Sequence, residues 1–265
     1  MSRKLHQIAR GLEKLADVHL LRRSSGPFWP EANFERSLHD YLQTDCIFDV
    51  GANIGQFGQN TRQVIGYRGT ILSFEPNPTA YARLASYAQN DADWHCFPFA
   101  LGESAGTAKF NVMRFDNLSS LLEPGGESER YFADSNEVVE TRDVEVRTLD
   151  EVFADLRAKF GFQRPFLKLD TQGFDLRVAR GAAKSIAAFT GCVSEVSLVP
   201  IYQDQPTMSD SIACFRSLGL ELVEMFNVHP GGWFQPLIEC NAYFLNRRFA
   251  QPLESASGYH SISFN

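Results

Sequence analysis

A glycine-containing turn follows an apolar stretch early in the chain. Residues 47–50 lead directly into Gly51-Ala-Asn-Ile-Gly55, which predicts a buried strand, a tight turn and then a helix. Glycine lets the backbone approach a ligand closely, and the first N–H groups of a helix are available as donors. The Asp49 carboxylate is predicted to face the same crevice. The pattern indicates a ligand-binding turn, although an ordinary strand-to-helix turn can carry the same glycines.

The residues of this turn favour a cationic ligand group over a pyrophosphate. A dinucleotide-binding turn prefers the pattern G-x-G-x-x-G, whereas this chain has Asn53 where one of those glycines is expected. The negatively charged Asp49 does not stabilise a pyrophosphate, which is also an anion, but it attracts an ammonium or sulfonium group. An NAD-dependent oxidoreductase is therefore the weaker alternative.

An acidic residue ends the next apolar stretch. Glu75 is followed by Pro76-Asn77-Pro78, and the prolines fix the turn that presents it. A carboxylate at this position of a nucleoside-binding α/β fold accepts the ribose hydroxyls. Further along, residues 99–102 place the small residue Ala100 beside Leu101 at a strand end, where they could enclose an adenine ring.

Two more carboxylates are predicted at strand ends, at the same edge of the sheet as the glycine turn and Glu75. Asp170 ends one apolar run and Glu195 lies near the end of the next. Such a group can act as a general base, or the pair can hold a divalent cation such as Mg²⁺, with Asp175 and His229 as further ligands. We do not expect a bound cation at these carboxylates. Asp170 could instead bind a cofactor amino group, and Glu195 could cap a helix.

The elements that position these residues alternate between strand and helix. Such alternation predicts an α/β fold with a mostly parallel, Rossmann-like sheet, helices on both faces and an antiparallel strand near the C-terminus. Strands are predicted at 46–50, 70–75, 94–99, 106–113, 138–146, 166–170, 191–196, 220–226 and 242–246. Helices are predicted at 54–65, 78–89, 149–159, 174–188 and 208–218.

The chain divides into three predicted parts. Residues 1–44 form an N-terminal helical extension, in which Leu5, Ile8, Leu12 and Leu15 share one helix face and a second helix covers about 31–42. The sheet domain spans 45–250, and 251–265 form a C-terminal tail. Within the domain, residues 114–137 lack periodicity and are predicted to be a long loop.

Composition and charge argue against several kinds of partner and location. The net charge is −7 and no dense run of Lys or Arg occurs, so nucleic acid is disfavoured as a partner. No apolar stretch is long enough to span a membrane, and no signal-peptide pattern begins the chain. The five cysteines are spread singly, as is typical of reduced thiols in a cytoplasmic protein.

The segments DVGANIGQFG, FEPNP, ALG, FLKLDTQGFD and SEVSLVPIY together resemble the FkbM family of methyltransferases in order and spacing, over about residues 45–246. The resemblance implies a class I methyltransferase fold with S-adenosylmethionine as donor and O-methylation of a sugar or secondary metabolite. By position, the methionine part of the donor is assigned to Asp49, Gly51, Asn53 and Gly55. Glu75 and Pro76 are assigned to the ribose turn, Ala100 and Leu101 to the adenine, and Phe57 to either the cofactor or the core.

In such an enzyme, Asp170 and Glu195 become the candidates for removing a proton from the acceptor hydroxyl. The acceptor, a small molecule or a glycan, is predicted to contact Ser119, Ser120, Tyr202 and His229. Lys168 lies mid-strand and is predicted either to sit under the cofactor or to extend along the sheet towards solvent. A non-catalytic nucleoside-binding or assembly module stays the alternative from another class of protein, and the N-terminal helices are compatible with a homodimer.

Overall fold

The computed structural model describes residues 29–132, 135, 137–228 and 237–249. The predicted helix at residues 5–15 and the tail at 251–265 lie outside them. The strands are β1 Cys46–Val50, β2 Thr70–Phe74, β3 Trp94–Phe97, β4 Ala100–Leu101, β5 Gly106–Met113, β6 Val138–Arg147, β7 Pro165–Leu169, β8 Gly191–Ser197, β9 Leu220–Asn227 and β10 Glu239–Asn246. The α-helices are α1 Trp29–Leu42, α2 Gln56–Asn60, α3 Pro78–Ala88, α4 Gly126–Phe132, α5 Leu149–Phe160, α6 Asp175–Arg180 and α7 Met208–Ser217.

The main sheet has seven strands in the order β3-β2-β1-β7-β8-β10-β9. Strands β3, β2, β1, β7 and β8 pair in parallel. Strand β10 runs antiparallel to both of its neighbours, β8 and β9. The strand order reverses beside β1, where open α/β sheets bind their ligands. The predicted Rossmann-like sheet with an antiparallel strand near the C-terminus is confirmed.

Successive residues of the central strands point to opposite faces, and each face is covered by helices. Ile47 and Phe166 are fully buried on the face that α1 and α3 cover. Phe48 and Leu167, their chain neighbours, are fully buried on the face that α5, α6 and α7 cover. The parallel strands therefore read as continuous apolar runs in the sequence.

Helix α1, predicted at about 31–42, packs on the main sheet through a buried polar cluster. The Tyr243 hydroxyl lies 2.9 Å from Glu31 Oε1 and 2.8 Å from Glu35 Oε1. Glu31 Oε1 also accepts a hydrogen bond from the Asn241 amide at 2.8 Å. Burial raises the pKa of both carboxyls, that of Glu35 to about 8.

The structure departs from the predicted elements in several places. The helix predicted at 54–65 is divided into α2 and a π-helix at Thr61–Ile65. The run predicted as one strand at 94–99 ends at Phe97, and the chain then enters β4 of a separate three-stranded sheet, ordered β4-β6-β5. The predicted long loop at 114–137 was wrong in part, because it contains α4. The predicted helix at 174–188 ends after Arg180, and a 3₁₀ turn follows at Ile186–Ala188. Between them, Gly181 lies so close to Gly102 that a side chain there would meet the Gly102 carbonyl oxygen.

Candidate functional site

A cavity of about 190 Å³ opens at the carboxyl ends of β1, β2 and β7. Its walls come from the turn after β1, the turn after β2, the segment after β7 and the small sheet. The lining residues are Val50, Gly51, Ala52, Asn53, Gln56, Phe57, Phe74, Glu75, Pro76, Asn77, Ala80, Ala100, Leu101, Phe110, Asn117, Ser119, Leu121, Lys168, Asp170, Thr171, Gln172 and Phe174.

The glycine turn lies directly against the segment after β7. Gly51 has φ of 75°, and a Cβ there would be 1.9 Å from the carbonyl oxygen of Asp170, so only glycine fits. Asn53 also has a positive φ, of 46°, and its side-chain oxygen accepts the Ile54 N–H at 2.6 Å. Gly55 precedes α2 with φ of 91° and does not line the cavity. The turn thus presents Gly51 and Asn53 to the cavity.

Asp49 lies beneath this turn and does not line the cavity. It is fully buried, its Oδ2 accepts the Ser73 hydroxyl at 2.9 Å, and its Oδ1 lies 3.0 Å from Lys168 Nζ. Lys168 also donates to the Gly51 carbonyl oxygen at 3.0 Å. The predicted extension of Lys168 towards solvent is wrong, because the residue is buried.

The ion pair fixes the charge of Lys168. Burial alone would lower the pKa of its ammonium, but the carboxylates of Asp49 and Asp170 outweigh burial and the net direction is upward. The ammonium also lies 5.3 Å from the centre of the Phe57 ring. Lys168 is therefore a permanent cation that ties the glycine turn to β7.

Glu75 occupies the wall between the turns after β1 and β2. Its Oε2 accepts the Asn53 N–H at 2.7 Å and its Oε1 accepts the Asn77 N–H at 2.8 Å. Burial raises its pKa to about 7, against the effect of these two hydrogen bonds. Each carboxylate oxygen keeps a second acceptor position, so the group can still accept ligand hydroxyls.

One end of the cavity is apolar. Ala100 and Leu101 in β4 are buried, and Phe110 in β5 lies on the same wall. Leu121 and Phe174 also line the cavity. The sequence indicated the first two residues but not the other three, because the pairing of β5 with β6 that brings Phe110 to this wall is a tertiary feature.

A polar bridge lies between the cavity and β8. Gln172 Nε2 donates to Asp170 Oδ1 at 3.0 Å and to Glu195 Oε2 at 2.9 Å. Asp170 and Gln172 line the cavity, whereas Glu195 lies behind them. Gln172 was not among the predicted site residues, because nothing in the sequence shows that its side chain joins two strand-end carboxyls.

Access to the cavity separates the two predicted catalytic carboxyls, because Asp170 lines the cavity with a side chain that is 39% exposed and Glu195 does not line it. Burial raises the pKa of Glu195 well above its ordinary value, and the charges of Asp170, Glu239 and Asp175 raise it further. Asp175 is occupied by hydrogen bonds from Thr171 and Ser194. Within the part of the chain that the structure describes, no group of three or more His, Cys, Asp or Glu side chains could hold a metal ion.

The predicted acceptor contacts fall in different places. Ser119 lines the cavity and its hydroxyl accepts the Met113 N–H at 3.1 Å. Ser120 and Tyr202 are buried and do not line it. Their hydroxyls instead contact Gln172, whose backbone oxygen accepts from Ser120 at 2.7 Å and whose Oε1 lies 3.0 Å from the Tyr202 hydroxyl. His229 lies outside the described residues.

The sequence matches the family described as methyltransferase FkbM domain over residues 49–222. The chain belongs to the FkbM methyltransferase family. The match begins at Asp49, contains every residue that lines the cavity and ends in β9. No curated protein sequence matches this FkbM-family chain.

The chain also has distant similarity to several solved structures. EvdMO1 is 13% identical with a TM-score of 0.43, over 94% of this chain and 48% of EvdMO1. This chain thus spans about half the length of EvdMO1. Aeropyrum pernix fibrillarin, solved with S-adenosylmethionine, is 12% identical with a TM-score of 0.41, over 80% and 74% of the two chains. Synechocystis magnesium protoporphyrin IX methyltransferase, with bound S-adenosylmethionine, is 6% identical with a TM-score of 0.43, over 93% and 98%.

The described residues include no helix that is long and apolar enough to cross a membrane.

Proposed function

We propose that this FkbM-family protein transfers a methyl group from S-adenosylmethionine to a hydroxyl oxygen of a sugar or secondary metabolite. The observation that supports the proposal most is the meeting of Glu75, the glycine turn and Asp170 in one cavity. When bound, the donor supplies a methyl carbon activated by its sulfonium sulfur.

The residues of the cavity fit this donor. Gly51 lets the turn lie against the backbone of Asp170 at the cavity wall, and Glu75 has free acceptor positions for two ribose hydroxyls. Ala100, Leu101 and Phe110 offer an apolar wall of the kind that an adenine ring needs. Asn53 and Phe57 are proposed to contact the methionine part. Asp49 and Gly55 are proposed to act on it through the shape of the turn.

Asp170 is proposed as the base. Its side chain is 39% exposed at the cavity, whereas Glu195 does not line the cavity and burial raises the pKa of its carboxyl. As the new O–CH₃ bond forms and the S–CH₃ bond breaks, the acceptor's hydroxyl proton passes to Asp170 and S-adenosylhomocysteine leaves. Asp170 also helps to align the acceptor with the methyl group. This alignment is the main requirement of an in-line displacement.

The test is methyl transfer from methyl-labelled S-adenosylmethionine to a panel of sugars and hydroxylated metabolites. Product from wild type is expected to carry the label on oxygen. Asp170→Asn is expected to lower turnover about a hundredfold or more and to change donor affinity much less. Donor binding without turnover on any acceptor would favour a non-catalytic module, and an equal loss of both in Asp170→Asn would reassign Asp170 to donor binding.

A further inference from the structure

Gln172 is held from four directions at the cavity wall. Its backbone has φ of 53°, a conformation that residues other than glycine adopt rarely and that is common at functional sites. Ser120 holds its backbone oxygen, and the Tyr202 hydroxyl faces its side-chain oxygen. Its amide nitrogen faces Asp170 and Glu195. Because only the NH₂ end can donate to a carboxylate, these partners also fix the orientation of the amide, with its nitrogen towards the carboxyls and its oxygen towards Tyr202.

The amide nitrogen has two hydrogens, and each is donated to a different carboxyl group. Two carboxyls this close to one nitrogen repel each other when both are charged. The ammonium of Lys168 lies 3.5 Å from Asp170 Oδ2, which favours placing the charge on Asp170. Four charged residues lie near Glu195: Lys168 in β7, Asp170 just after it, Asp175 in α6 and Glu239 in β10. Three of these four neighbours are acidic.

We propose that Gln172 is a positioning residue that separates Asp170 from Glu195, so that one proton stays on Glu195 and the negative charge stays on Asp170 at the cavity. Without an amide between them, two carboxyls with one proton bind each other directly and share it. Asp170 would then be a weaker hydrogen acceptor for a substrate. The inference rests on the proposed function only in giving Asp170 the role of base.

The test is a pH titration of carboxyl carbons by ¹³C NMR in the full chain, with signals assigned from Asp170→Asn and Glu195→Gln. In wild type, Asp170 is expected to titrate at lower pH than Glu195. Gln172→Met keeps an unbranched side chain but removes both donors, and is expected to raise the Asp170 midpoint by about one pH unit or more. Tyr202→Phe removes the contact on the other end of the amide, together with a hydrogen bond to the Leu118 carbonyl oxygen, and is expected to shift the Asp170 midpoint by less than about 0.3 unit.

An Asp170 midpoint that stays at the wild-type value in Gln172→Met would overturn the proposal. If Gln172→Met does not fold, Gln172→Leu replaces it, because it also lacks both donors and adds no charge beside Asp170. The same upward shift is expected. The titration uses neither the methyl donor nor the methyl acceptor. The proposed methyl transfer can therefore fail while this inference stands, and this inference can fail while the proposed methyl transfer stands.

Discussion

Glu75, just after β2, and Lys168, in β7, are buried ionisable residues beside β1, and they affect the cavity differently. Glu75 faces the cavity with acceptor positions to spare. The Lys168 ammonium forms an ion pair with Asp49 and donates a hydrogen bond to the glycine turn. Glu75 is thus expected to govern ligand affinity, and Lys168 to govern the stability of the turn.

Ligand affinity is expected to follow the ionisation of Glu75. Because its pKa is raised to about 7, the carboxylate that accepts ribose hydroxyls is mostly present at pH 8 and mostly protonated at pH 6. S-adenosylhomocysteine is therefore expected to bind about tenfold more weakly at pH 6 than at pH 8. Calorimetry at both pH values measures this ratio. The control is Glu75→Gln, which cannot ionise at this position. Its affinity for S-adenosylhomocysteine is expected to be weaker than that of wild type and equal at pH 6 and pH 8. If the affinity of this variant still depended on pH, a group other than Glu75 would be responsible.

Removal of the Lys168 charge is expected to destabilise the fold. Lys168→Met leaves the fully buried Asp49 without its cation, which costs about 3–5 kcal/mol of unfolding free energy. Denaturant titration measures the loss. The matched control is Lys109→Met, which breaks an ion pair with Asp143 between side chains that are 68% and 62% exposed and should cost less than about 1 kcal/mol. Equal losses in the two variants would show that the buried pair contributes no more than a surface pair.

At the scale of elements, the glycine turn after β1 determines how closely β1 and the segment after β7 approach. Gly51 and Gly66 have similar positive φ values, of 75° and 80°. A Cβ on Gly66 meets nothing within 4 Å, whereas one on Gly51 meets backbone. The two positions therefore separate the cost of backbone strain from the cost of a clash.

Gly51→Ala is expected to cost at least about 2 kcal/mol more stability than Gly66→Ala, because overpacking adds to the shared strain. It is also expected to lose S-adenosylhomocysteine binding, while Gly66→Ala keeps wild-type affinity. Denaturant titration and calorimetry on the two variants provide both comparisons. Wild-type affinity in Gly51→Ala would show that the close approach of the turn has no part in binding.

At the scale of the whole molecule, local patterns predicted the order of strands and helices well. The apolar runs of β1, β2, β7 and β8 and the glycine turn are features of neighbouring residues. The small sheet and the Gln172 bridge were not predicted, because both depend on residues far apart in the chain. Lys168 shows the limit most clearly, since its burial depends on Asp49, which lies on another strand.

The central claim is that the cavity at the ends of β1, β2 and β7 binds S-adenosylmethionine through Glu75. Calorimetric titration of wild type and Glu75→Ala with S-adenosylmethionine and S-adenosylhomocysteine, with NAD as the control ligand, tests it most directly. We expect micromolar binding of both sulfur ligands to wild type, no binding of NAD, and no detectable binding to a folded Glu75→Ala variant. Folded wild type that binds neither sulfur ligand, or a Glu75→Ala variant with unchanged affinity, would contradict the account.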